Sequence, residues 1–120
     1  MTVALNLVVL RVSDLERARC FYEALGLRFT RERHGTGPEH LAAESGSVLF
    51  EIYPRGEGPT TAGVRLGFRV ASVASVVWAV QQLGASVTSP PAEGHWGLRA
   101  VVVDPDGHRV ELTQPSESRG

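Results

Sequence analysis

Slid along itself by 58 residues, this chain finds its own pattern again. In that single register Leu10 falls on Phe68, Arg11 on Arg69, Val12 on Val70, Leu15 on Val73, Leu25 on Leu83, Gly26 on Gly84 and Thr30 on Thr88. Repetition of this kind restricts the fold more than any one residue does, because the architecture must then be one supersecondary unit used twice.

Each copy opens on apolar residues with β character, LNLVVLRV and VRLGFRV, and then passes into a helix. In the first helix Ser13 and Glu16 read as an S-x-x-E capping box, and Leu15, Ala18, Tyr22 and Leu25 recur at helical spacing before Gly26. The second helix starts near Ser72, carries Val73, Val76, Val77, Val80 and Leu83 on one face, and ends at Gly84. Three short strand segments follow each helix: LRFTRER, EHLAAE and VLFEIY, then SVTS, LRAVVVD and RVELTQ. The unit is therefore βαβββ, expected over residues 4–53 and again over 64–114, joined by the Gly/Pro-rich connector PRGEGPTTAG at 54–63. The final hairpin is marked by DPDG at 104–107, and the tail from Pro115 is expected to fray.

A chain of 120 residues with 42% hydrophobic content can bury one core, so residues 1–120 are expected to form a single α+β domain. Twelve basic residues, all arginine, balance thirteen acidic ones, with no basic run to track phosphates; nucleic acid is not an expected partner. A lone cysteine, Cys20, excludes an internal disulfide framework. The N-terminal apolar run lacks a charged leader and meets Arg11 too early for a membrane span, so a cytoplasmic protein without membrane association is expected.

Alternation divides each strand into two unlike faces. Phe50 and Ile52 oppose Glu51 and Tyr53; Leu66, Phe68 and Val70 oppose Arg65, Gly67 and Arg69; Val110 and Leu112 oppose Arg109 and Glu111. The apolar faces belong under the helices. The charged faces either meet solvent or line a concave site.

The segment VSDLERARCFYEALGL, the tandem βαβββ pattern and the closing WGLRAVVVDPDGHRVEL resemble the vicinal oxygen chelate superfamily, which includes glyoxalase I, extradiol dioxygenases and the fosfomycin and bleomycin resistance proteins. The resemblance covers about residues 4 to 114 and implies mixed sheets curled around a shared cavity. Metal-dependent members place ligands on the first and last strand of each unit, positions that match Leu7, Glu51, Arg65 and Glu111 here. Leucine has no donor atom and arginine is a permanent cation, so the protein is expected to hold no metal and no other cofactor. Arg65 instead reads as an internal cation that pairs with Glu111 and Glu51. None of the four histidines is expected on the cavity face at ligand spacing: His34 and His40 flank a loop, His108 is structural or exposed, and His95 with Trp96 belongs to a loop that could overhang the cavity. Cys20 is expected to be a small buried hydrophobe.

The reading that follows from the resemblance is a metal-free small-molecule-binding protein for a polar or aromatic metabolite or antibiotic. Leu7, Glu51, Tyr53, Arg65, Arg69, Trp96, Arg109 and Glu111 would contact the ligand, with Tyr53 and Trp96 as stacking surfaces. The alternative is a lyase, isomerase or dioxygenase-like enzyme with Glu111 or Glu51 as general base and Arg65 stabilising an oxyanion. A third reading is a degenerate domain closed by its own ion pairs. A homodimer is expected in each case, because family members pair units across chains and the sheets leave edge strands to cover.

Overall fold

The computed structural model describes residues 2–95 and 97–116, and the chain divides between Thr61 and Ala62 into two compact units. The first contains β1 (Leu7–Val12), α1 (Leu15–Leu25), β2 (Thr30–Glu32), β3 (His40–Ser45) and β4 (Val48–Pro54). The second contains β5 (Arg65–Arg69), α2 (Val73–Gln82), β6 (Ser86–Gly94), β7 (Gly97–Val103) and β8 (Arg109–Gln114). Their sheets have the same order, β1-β4-β3-β2 and β5-β8-β7-β6, and in each the first strand lies parallel to the last while the other pairings are antiparallel. The βαβββ unit is thus present twice.

One face of each sheet is covered by its helix. On α1 the buried residues are Ala18, Phe21, Tyr22 and Leu25; Tyr22 meets Phe50 edge-on at 5.1 Å between ring centroids, over the β4 side that also carries Ile52. Val73, Val76, Val77 and Val80 do the same on α2, in a unit whose core includes Val102, Val110 and Leu112. Burying a side chain of this size stabilises by about 1.5–3 kcal/mol, so these stripes hold the helices down far more firmly than helix propensity does.

Several local expectations shift. The N-cap of α1 is Asp14, whose Oδ1 accepts from the Arg17 amide at 3.1 Å; Ser13 lies outside the helix and Glu16 points to arginines. Leu83 is the C-cap residue of α2, beyond the buried stripe, and is 49% exposed. Cys20 falls on the side of α1 opposite the buried stripe and is exposed, because 100° per residue carries it away from Ala18 and Tyr22. Only Thr30–Glu32 of LRFTRER pairs as a strand, while the buried Phe29 joins the Phe50 aromatic cluster. β6 continues beyond SVTS through Pro90 and Pro91 to Gly94; an edge strand tolerates prolines, and its register shifts between Val87 and Ala92. Part of the connector is docked, since the Arg11 amide donates to Thr61 Oγ1 at 3.0 Å and the Arg55 amide to the Val12 carbonyl at 2.7 Å.

The closing hairpin is built around Asp104 and His108, both buried. Asp104 Oδ1 accepts from the amides of Asp106 and His108, each at 2.9 Å, and Oδ2 accepts from His108 Nδ1 at 2.8 Å. Gly107 turns the chain at φ 98°, in the left-handed region. His108 is therefore structural, and the hairpin it anchors sets the register that puts Glu111 on the face away from α2.

Candidate functional site

In the first unit the face turned away from α1 carries Leu7, Val9 and Arg11 of β1, Glu51 and Tyr53 of β4, His40 and Ala42 of β3, and Thr30 and Glu32 of β2, as the strand registers require. At one end these residues form a row across all four strands. Arg11 stands beside Tyr53, with its guanidinium carbon 5.2 Å from the ring centroid. The Tyr53 ring stacks on His40 at 4.1 Å with 7° between planes, and His40 stands opposite Glu32. Glu51, one step back, is 9% exposed and places Oε2 3.8 Å from His40 Nε2.

His40 is where the structure departs most from the sequence reading. It is not a loop residue flanking HGTG but the first residue of β3, 1% exposed, on the same face as Glu51. The departure has a simple cause: the β2–β3 pairing aligns Glu32 with His40, and no property of either residue reveals that alignment. Alternation within HLAAES, with Leu41 and Ala43 facing the helix, was the signal that places His40 on the open side. Nearby, an open groove of about 470 Å³ runs past Gly26, Arg28, Thr30, Glu32, Glu44 and Leu49. Its polar rim is made by residues other than the four family positions.

In the second unit Arg65 lies opposite Arg109 and Gly67 opposite Glu111, so Arg65, Arg69, Arg109 and Glu111 share one face. The cation that Glu111 meets is Arg99 of β7, whose Nε donates to Glu111 Oε1 in a short ion pair. The residue pattern alone points to Arg65 in that role. The diagonal placement of Arg99 explains the exchange: Val101 pairs with Glu111 and Arg99 with Thr113, so the arginine reaches back along the neighbouring strand. Arg65, Arg69 and Arg109 are exposed, Glu111 and Tyr53 are half-buried, and Leu7 is 46% exposed. Trp96 lies outside the described residues, whereas His95 is described and exposed.

The four positions at which the superfamily holds a metal do not suit one here. Leu7 offers no donor, Arg65 brings a positive charge, and the Glu111 carboxylate is committed to Arg99. No reaction step through a metal at those positions follows from these residues. Elsewhere, Glu39 and then Glu16 hydrogen-bond Arg31, each at 2.6 Å, and hold its guanidinium above its ordinary pKa; these exposed pairs tie β2 to the loop before β3 and to α1. No helix among the described residues is long and apolar enough to cross a membrane.

Comparison with known proteins places this geometry. Among solved structures, TnmS3, an antibiotic binding protein from Streptomyces sp. CB03234, superposes with a TM-score of 0.75 at 26% identity, covering 96% of this chain and 98% of that one. A glyoxalase/bleomycin resistance protein from the same organism gives 0.72 at 25% identity, covering 92% of this chain and all of the other (100%). A putative lactoylglutathione lyase of Brassica oleracea var. gemmifera is 34% identical over 124 aligned residues, and the chain spans 43% of the length of that curated relative. The profile of the Glyoxalase/Bleomycin resistance protein/Dioxygenase superfamily matches residues 4–112, both βαβββ units; with the repeated sheet order and open polar faces found above, this chain belongs to that superfamily.

Proposed function

We propose that the chain is a small-molecule-binding protein that holds a polar or aromatic metabolite or antibiotic without a metal at the family's four positions. The observation that carries this reading is Glu51, a carboxylate only 9% exposed on the sheet face left open by the helix, where burial of a charge has no packing advantage. A second carboxylate, Glu111, is oriented by Arg99 on the corresponding face of the other unit. In the first unit Glu51 and Tyr53 are the polar side chains offered to a ligand, with Leu7 for apolar contact; in the second unit Arg65, Arg69, Arg109 and Glu111 are the polar side chains offered. Tyr53, stacked on His40, offers an edge and hydroxyl and no free ring face on that side. The 26% identical antibiotic binding neighbour supports the ligand class. A homodimer is part of the proposal, formed along the edge strands β1 and β5.

The relative named as a lyase supports a second reading, in which Glu111 or Glu51 removes a proton from bound substrate. One experiment separates the two. A panel of aromatic antibiotics and polar metabolites is screened by thermal shift, and hits are titrated by calorimetry while the recovered ligand is weighed by mass spectrometry. Saturable binding, weakened about tenfold or more by Glu51→Gln and with the ligand recovered unchanged, supports binding. Conversion of the ligand that Glu111→Gln or Glu51→Gln abolishes would replace it with the enzyme.

A further inference from the structure

Three ligand-type side chains meet at the β2–β3 hairpin. Glu32 ends β2 and faces His40 across the ladder, and the turn closed by the Gly37 amide on the His34 carbonyl, at 3.0 Å, brings His34 back to the same pair. One ligand atom from each residue lies within 4.8 Å of the other two. Glu32 Oε1 is 3.5 Å from His34 Nε2 and 3.5 Å from His40 Nε2. A tetrahedral ion with bonds of about 2.0–2.1 Å keeps its ligand atoms about 3.4 Å apart, so both separations already match a tetrahedral edge.

The decisive residue is His40. Its ring is fixed by the stack on Tyr53 and by Nδ1, which lies 3.2 Å from the Pro38 carbonyl oxygen. A proton on Nδ1 directed at that carbonyl leaves the lone pair on Nε2, the arrangement found in metal-bound imidazoles. Nε2 is buried and, among the described residues, has no hydrogen-bond partner. The nearest Glu32 and Glu51 oxygens stand 3.5 and 3.8 Å away, and neither makes a hydrogen bond with it. Buried nitrogens are normally bonded; this one is left unbonded with two carboxylates and a second imidazole close by.

We propose that Glu32, His34 and His40 form a site for a divalent transition metal, with Zn(II) as the reference ion, in addition to the binding surface described above. Two imidazoles and a carboxylate are a borderline donor set that suits zinc and its neighbours, whereas calcium and magnesium take oxygen ligands. Three protein ligands leave one position for an oxygen donor of the bound molecule. The expectation of a metal-free protein rested on Leu7, on Arg65 and on reading His40 as a loop residue; the place of His40 on β3, opposite Glu32, is the ground for departing from it here.

Metal-stripped, full-length protein is titrated with Zn(II) by calorimetry and with Co(II) by visible absorption, beside Glu32→Gln, His34→Ala and Glu111→Gln variants. The His34 and Glu32 side chains are 73% and 37% exposed, so these two variants test ligation without removing core packing; apo unfolding midpoints equal to the parent's verify this. The expected result is one equivalent of Zn(II) for the parent and for Glu111→Gln, with affinity at least about tenfold lower in both Glu32→Gln and His34→Ala. The tetrahedral Co(II) band should weaken in the same two variants. The proposal is overturned if the parent shows no saturable Zn(II) binding, or if His34→Ala and Glu32→Gln bind as the parent does. It is equally overturned if Glu111→Gln alone loses the ion, which would place the metal at a family position.

Discussion

Replacing Asp104 by alanine should be among the most damaging single changes in the second unit. The carboxylate is fully buried, as is the His108 ring, and it accepts three hydrogen bonds at 2.8–2.9 Å. Alanine strips the acceptor from two amides and from the imidazole at once. Each buried donor deprived of its partner costs about 1–3 kcal/mol, and breaking a buried pair from one side costs about 3–5 kcal/mol. Because the three bonds share one acceptor the costs do not add, and a loss of about 4 kcal/mol is expected. At roughly 3–5 °C per kcal/mol for a chain of this length, Tm falls by roughly 12–20 °C. Asp104→Asn keeps an oxygen for the two amides and exchanges only the imidazole partner, so about 1–2 kcal/mol is expected. Urea unfolding followed by far-UV circular dichroism measures both. An alanine variant within about 1 kcal/mol of the parent, or one equal to the asparagine variant, would refute the claim that this carboxylate anchors the hairpin.

Arg99→Ala and Glu111→Gln should each lower stability by less than about 1 kcal/mol, because both side chains are more than a third or close to a third exposed and water screens the pair; their larger effect should be on ligand affinity, read by calorimetry. Arg65→Ala, at an exposed position, should leave the urea midpoint unchanged. A large loss there would restore Arg65 as the internal cation. Gly97→Ala should be severely destabilising in a melting experiment: with φ at 109°, its Cβ would run into the Gln114 carbonyl and approach the Ser116 nitrogen to 2.6 Å. Multi-angle light scattering at tens of micromolar should give the mass of a dimer, and a monomer mass would remove the proposed pairing along β1 and β5.

Whatever depends on one stretch of chain read against its own backbone is legible in the residues alone. The 58-residue repeat, the apolar stripes of the two helices, the turn at Gly107 and the facing of Glu51 and Glu111 away from the helices all follow from helical or strand periodicity or from φ preferences. Which side chains stand beside one another is set by the folded sheets. Glu111 is twelve residues from Arg99, and Glu32 is eight from His40. In both pairs the neighbour is chosen by the register of one strand against another. Arg65 and Arg99 are chemically identical, so composition and charge cannot rank them as partners for Glu111; the diagonal reach from β7 does. His40 looks like one more loop histidine until the β2–β3 pairing sets it between Glu32, Glu51 and Tyr53. Register is set by turn geometry and by packing of the covered face, both of which sum over many residues, and for that reason the side chains on the open face inherit neighbours that their own sequence does not specify.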